Sequence, residues 1–308
     1  MDLNLAKKIE ITDKPLFDSY FLKFKPQISE LSFTNVFMWR NYYDFLFTEL
    51  NDHLIIFSKS YLNKWKNPHS NKKDVIFFLP PIGDKPDEII FELFDSLDNI
   101  EIHRVPEADV KKLQENEKIT NSKLEIIEDR DNWDYVYDRE ELISLAGSKY
   151  RQKRRWLKKF TDQYNYEFYF ISGKYIEKAR KLQYEWADIN DFRTEEGLKE
   201  EQRAVDEIFD NFLELNPKGG ILCTNEYCVG YTLGEMLNDD TVVIHIEKAH
   251  IEYEGSYQAI NNLFLKLCCD KALHVNREQD LGIPGLRKSK ESYKPHHMVK
   301  KYIIIKNS

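Results

Sequence analysis

Residues 219–305 constrain the fold of this chain more than any other part of its 308 residues. The runs 220–224, 228–237 and 241–249 are β-type and divided by short polar turns, which predicts an antiparallel meander. An apolar helix over 256–271 and a strand over 273–276 come next, then a short helix near 286–293 and a strand over 298–305. Antiparallel strands join through tight turns, whereas a strand–helix–strand step needs a crossover. Together they predict one mixed α/β sheet.

The first half repeats this order without repeating its residues. Helices are expected over 14–25, stopped by Pro26, and over 31–40, where Asn35, Trp39 and Arg40 interrupt an apolar run. Strands are expected at 42–47, 53–58 and 74–79, a helix at 87–97, a strand at 100–105 and a helix at 107–117. Strands at 124–128 and 133–137 are expected to complete the first sheet. The length suits two domains of about 150 residues each. The expected division is a first domain at 1–138, a basic linking helix at 139–164 that Gly147 interrupts, and a second domain at 165–308.

A net charge of −8 argues against indiscriminate nucleic-acid binding, but the charge is unevenly placed. Residues 149–159 hold seven cations and no acid, and residues 287–301 are basic with Glu291 their only acid. Such segregation makes local anion sites on an acidic protein. No run approaches the roughly 18 apolar residues of a spanning helix, and no basic-then-apolar leader is seen at the start. Cys223, Cys228, Cys268 and Cys269 form neither a CxxC pair nor a zinc framework, and the adjacent Cys268 and Cys269 are expected as buried free thiols. The expectation is a soluble, reduced, cytoplasmic protein of open oligomeric state.

Three segments carry candidate chemistry. In the strand over 241–249, His245 and Glu247 share a face. A carboxylate or imidazole there can accept a proton, so Glu247 or His250 is a candidate base, with His245 orienting Glu247. A polar strand face is otherwise a solvent-facing one. Asn276, Arg277, Glu278, Gln279 and Asp280 end the short strand just before Gly282, at the strand edge where α/β sheets receive ligands. Arg277 suits a carboxylate or phosphate, and Glu278 or Asp280 an ammonium group; the alternative is an internal network that fixes the loop. A basic turn follows at Arg287, Lys288, Lys290, Lys294, His296 and His297, suited to phosphate or to plain solvation. The two histidines lack a Cys or carboxylate at ligand spacing, so no metal is expected. In the basic helix, Trp156, Leu157 and Phe160 form a docking side, leaving the cations for a phosphate-rich partner or for water.

The order of elements over 219–305 resembles the second half of an acyl-CoA N-acyltransferase-like (GNAT) fold. The wording Asn276-Arg277-Glu278-Gln279-Asp280-Leu281-Gly282, followed by Tyr293-Lys294-Pro295, resembles the phosphatidylglycerol lysyltransferase C-terminal-domain family. The resemblance covers nearly the whole chain. It implies an α/β protein of two tandem GNAT-like domains that transfers an aminoacyl group from aminoacyl-tRNA to an acceptor. Membrane lysyltransferases of the family carry an integral-membrane portion, for which this sequence has no segment. The family implies a lipid, peptide, or small amine or hydroxyl acceptor; this departure counts against the lipid and leaves a peptide, a small amine or a cell-wall precursor open. The site expected on this reading has Glu247, His245 and His250 as catalytic residues. Asn276, Arg277, Glu278, Asp280 and Tyr257 would bind substrate, and Lys153, Arg154, Arg155, Lys288 and Lys294 would hold tRNA phosphates.

Acyl-CoA is the alternative donor. In single-domain acyl-CoA transferases a Gln/Arg-x-x-Gly-x-Gly/Ala loop cradles the pyrophosphate at a helix N-terminus. Here the matching loop, residues 251–258, keeps Gly255 but lacks the second glycine and the basic residue, and it carries Glu252 and Glu254. Residues 80–84 of the first half match no better. Ser256 is then expected as an ordinary helix cap. A third reading is a non-catalytic binding module built on the same fold.

Overall fold

A computed structural model describes residues 3–64, 73–189, 195–225 and 227–307; Glu226, in the meander, lies outside the described residues. Two units divide the chain. One is Met1–Asp134 with Gln279–Ile283 and Met298–Ser308, the other Tyr135–Glu278 with Pro284–His297.

The chain begins with β1 (Lys7–Lys8), α1 (Lys14–Phe24) and α2 (Phe33–Tyr43). Lys25 and Asp44 take left-handed backbone and close the last turns of the two helices. Ser32 opens α2 by accepting from the Asn35 amide at 3.2 Å. Helix α2 runs through Tyr42 and Tyr43, which the apolar pattern assigned to a strand, and the first hairpin starts later, with β2 (Leu46–Leu50) and β3 (His53–Ser58). Next come α3 (Tyr61–Lys64), β4 (Ile76–Phe78), α4 (Pro86–Ser96), β5 (Ile100–Pro106), α5 (Glu107–Glu115) and β6 (Leu124–Glu128).

The chain continues through β7 (Asp134–Asp138), α6 (Arg139–Ser144), α7 (Arg151–Gln163), β8 (Tyr166–Phe170), α8 (Lys174–Ile189), α9 (Glu195–Asp210) and α10 (Phe212–Leu215). The meander follows as β9 (Lys218–Thr224), β10 (Tyr227–Met236) and β11 (Thr241–Ala249). Then come α11 (Ser256–Cys268), β12 (His274–Asn276), α12 (Pro284–Glu291) and β13 (His297–Val299), before β14 (Lys301–Lys306) ends the chain.

The strands form two seven-stranded mixed sheets, ordered β1-β2-β3-β4-β5-β14-β6 and β13-β7-β12-β11-β10-β9-β8. The pairs β4–β5 and β11–β12 are parallel, the crossovers the sequence pattern called for. Strand membership departs from expectation at two places. Strand β7 joins the second sheet, not the first, and β14 lies between β5 and β6 of the first sheet, not with the residues that precede it. The linking helix splits at Gly147, and both of its parts fall in the second unit. The hydrophobic pattern marks these segments as strands but carries no information about their neighbours.

The first sheet is covered on both faces, so β3 is buried along its whole length. Ile55, Phe57, Phe78, Ile90, Leu93, Ile102 and Ile304 form its core. Burial contributes roughly 1.5–3 kcal/mol for each such side chain. The β14 position also provides for a buried lysine: Lys301 Nζ donates to Asp134 at 2.7 Å and to Glu30 at 2.5 Å. Asp134 is held in turn by the Ser29 amide and hydroxyl at 2.7 and 2.8 Å.

The four cysteines are not all free. Cys223 and Cys228 stand opposite each other where β9 turns back into β10, and they form a disulfide, a pairing the short hairpin creates without any CxxC spacing. Cys268 and Cys269 are buried thiols, and burial pushes both up to about 12. Among the described residues no helix is long and apolar enough to cross a membrane.

Candidate functional site

The second sheet opens where β12 stops. Strand β12 pairs with only Thr241–Val243 of β11 and ends at Asn276, while β11 continues to Ala249. On the other side of β11, strand β10 shifts register between Leu233 and Gly234. A Cβ at Gly234 would lie 2.4 Å from the Val243 carbonyl oxygen, so this bulge requires glycine. The unpaired stretch of β11 and the loop after β12 frame the candidate site, and the side chains that meet there come from both.

His245 is fully enclosed, with Nε2 3.0 Å from Glu235 and Nδ1 3.0 Å from Glu278. Burial alone would depress its pKa, but the hydrogen bonds to the two carboxylates outweigh burial and raise it to about 9. At neutral pH it is an imidazolium that donates twice and has no lone pair for a proton. Glu247 accepts from Arg277 Nη2 at 2.6 Å through one oxygen and from Asn261 Nδ2 at 2.8 Å through the other. His250 lies at the following turn, 3.4 Å from Glu185, and its carbonyl accepts from the Ser256 hydroxyl at 2.8 Å. Of the three residues singled out as catalytic, His245 and Glu247 thus sit on β11 and His250 just past its end, and each faces an oppositely charged partner.

The signature segment is divided between the units. Asn276 is buried and accepts from the Glu278 amide at 2.8 Å, and Glu278 takes left-handed backbone at φ 55 that aims its carboxylate at His245. Lys290, which the sequence grouped only with the basic turn, donates to the carbonyl oxygens of Arg277 and Glu278 and so clamps this corner. Asp280 belongs to the first unit, where its buried carboxylate receives Arg130 Nη1 at 3.2 Å and the Gly282 amide at 2.8 Å. Tyr257 accepts from Trp186 Nε1 at 2.7 Å, and burial raises its hydroxyl pKa. Lys288 and Lys294 are exposed.

Helix α7 has two different faces. Lys153 points inward, with Nζ 4.0 Å from the centre of the Tyr293 ring. The Arg277 guanidinium lies 5.0 Å from the same ring. Burial, then the charge of Arg277, lowers the Lys153 pKa to about 8. The other face, with α11, lines a groove of about 810 Å³. Arg151, Arg154, Arg155, Lys158, Lys159 and Lys266 rim this groove, Asp162 is its one acid, and Leu157, Leu263, Ala259 and Tyr166 supply an apolar floor. Lys158 pairs with Asp162 at 2.8 Å and Lys159 with Glu254, and Arg154 also donates to the Gly147 carbonyl at 2.7 Å. Lys153 therefore stands apart from Arg154 and Arg155, with which the sequence grouped it.

The loop at 251–258 is closed against α7. Gly255, not Ser256, is the cap of α11, with φ +91, and a Cβ there would meet the Trp156 carbonyl oxygen at 2.2 Å. The Trp156 carbonyl oxygen thus packs against the Gly255 cap, beside the turn where a pyrophosphate would need open N–H groups. Among the described residues no group of three or more His, Cys, Asp or Glu is placed to hold a metal.

The family model for phosphatidylglycerol lysyltransferase, C-terminal, matches residues 22–305. The chain belongs to that family. A conserved protein of unknown function from Bacteroides thetaiotaomicron VPI-5482 is 29% identical, with a TM-score of 0.87 over 98% of this chain and 99% of that one. L-PGS from Bacillus licheniformis shares the fold at 14% identity, with a TM-score of 0.66 over 96% and 93% of the two chains. An uncharacterized protein of Mycoplasmoides gallisepticum, MYCGA3080, is 24% identical over 174 residues; this chain spans about half of its length, 55% of each being matched. The tandem GNAT-like α/β class and the kinship with acyl-transfer proteins read from the sequence are borne out.

In this phosphatidylglycerol lysyltransferase-like protein, sequence reasoning missed Glu235, Gln258, Lys290 and Tyr293 as parts of the site. Tyr293 stood in the family wording, and Glu235 precedes His245 across a hairpin whose register alone places the two together. Nothing in the local pattern marks Gln258.

Proposed function

We propose that the protein transfers an activated aminoacyl group from aminoacyl-tRNA to an amine or hydroxyl of a lipid, peptide or small molecule. The observation that carries this reading is the groove between α7 and α11, six cations against one acid over an apolar floor. Arg151, Arg155 and Lys266 pair with no carboxylate among the described residues, which leaves them for the phosphates of a nucleic acid. In the transfer, the acceptor nitrogen or oxygen bonds to the ester carbon, and the carbon–oxygen bond to the terminal ribose breaks. The acceptor's proton leaves through Glu247 or a bound water and ends on the ribose oxygen. A charged-tRNA donor brings a cytoplasmic location with it. Acyl-CoA is the weaker donor because the Trp156 carbonyl stands at the start of α11.

A second reading, a binding module without catalysis, is favoured by the Arg277–Glu247 ion pair that spans the open part of the sheet. One pair of measurements separates the two. Anisotropy titration of a bulk aminoacyl-tRNA pool should show the R151E/R155E/K158E variant binding at least about 10-fold more weakly, with a salt slope smaller by about 2–3. Equal affinity and equal slope would remove tRNA from the groove. Movement of labelled amino acid from that pool to lipid, peptide or amine acceptors supports transfer, and tight tRNA binding without it supports the module.

A further inference from the structure

At the inner face of α7, hydrogen-bond donors outnumber acceptors. Tyr293 is 5% exposed, and its hydroxyl oxygen accepts from Gln258 Nε2 at 3.2 Å and from Arg277. With its oxygen engaged as an acceptor, the hydroxyl still holds its own proton, and no side chain among the described residues accepts it. Arg277 has five N–H groups, and Glu247 occupies only Nη2. The second oxygen of Glu247 is taken by Asn261, so this carboxylate has little left for a second cation. Lys153 Nζ lies over the Tyr293 ring with no carboxylate partner among the described residues. A half-buried ammonium, a guanidinium and a phenolic O–H therefore gather at the Tyr293 ring, and Glu247 bonds only the guanidinium among them. A purely structural cluster would be expected to balance its buried donors, because each one left without an acceptor is costly.

We propose that Lys153, Arg277 and Tyr293 form a pocket for one oxyanion, a carboxylate or phosphate group of a bound ligand. An acceptor-only group with charge −1 or more satisfies all three donors at once, which water does not. The pocket lies on the opposite side of α7 from the basic groove, and it stands whether the second unit transfers acyl groups or only binds them. An anion bound there would favour the charged form of Lys153 and raise its pKa from about 8.

The test is the rate at which Lys153 reacts with an amine-directed reagent, followed by peptide mass spectrometry between pH 7 and 11. It is run in chloride, inorganic phosphate or acetate at equal ionic strength, with exposed Lys288 as the internal reference. The expected result is slowing of Lys153 by about 10-fold in one or both oxyanions, the equivalent of raising its pKa by about one unit, with Lys288 unchanged. In Y293F, which keeps the ring, at least half of that protection should be lost. Protection by phosphate alone assigns a phosphate-bearing ligand, and by acetate alone a carboxylate. Equal Lys153 rates in chloride, phosphate and acetate overturn the proposal.

Discussion

At the scale of single residues, the second unit contains two buried charge arrangements, and the one at His245 ties stability to pH. His245 has a folded pKa of about 9, above the ordinary 6.5. Its contribution to stability is complete below 6.5 and disappears as pH rises through 9, because over that window the folded state holds a proton the unfolded state has lost. Wild type should therefore lose stability relative to H245Q between pH 6.5 and 9, by about 3 kcal/mol at most, measured as paired urea-unfolding curves at each pH. A constant difference across the range would show that the two glutamates do not hold the ring as an imidazolium. The Glu247–Arg277 pair predicts a different pattern. E247Q and R277M should each cost about 3–5 kcal/mol, and the double variant far less than the sum, in a double-mutant cycle. Additive losses would mean that the pair is not coupled. The alternation of β11 made it legible in the sequence that His245 and Glu247 share a face. Their engagement was not legible, because Glu235, Glu278 and Arg277 reach them from a neighbouring strand and a loop whose register the local pattern does not encode.

At the scale of elements, α7 and α11 are locked through backbone as well as side chains. Gly255 holds left-handed φ where a Cβ would meet the Trp156 carbonyl oxygen, so G255A has to push α11 away from α7. A loss of roughly 1–3 kcal/mol is expected, together with weaker tRNA binding in the groove the two helices line. Thermal unfolding and anisotropy on the same sample check both effects; unchanged stability would show that the contact yields without cost. The sequence announced this helix pair through its cations, through Gly147 and through the apolar side at Trp156, Leu157 and Phe160. It did not reveal that Lys153 turns away from Arg154 and Arg155. Adjacent residues on a helix point about 100° apart, and only the packing of the helix decides which direction is inward.

At the scale of the whole molecule, the element types were legible and the sheet membership was not. The segments that became β7 and β14 both read as strands, yet each belongs to the other sheet. The first sheet places β14 in its interior, with Lys301 buried between Glu30 and Asp134. A chain ended after Lys300 should lose hydrogen-exchange protection along β5 and β6 while β9, β10 and β11 keep theirs. Retained protection at β5 would show that the strand is dispensable.

The position of β14 also bears on how the protein is made. Strands β5 and β6 leave the ribosome long before the strand that must lie between them. At 5–20 residues per second, that interval is roughly 10–35 s. Through all of it, the first unit to be synthesised presents two apolar strand edges with no partner. The strands made early are thus completed late, and until β14 emerges, a chaperone or a neighbouring nascent chain can compete for the gap that β14 is meant to fill.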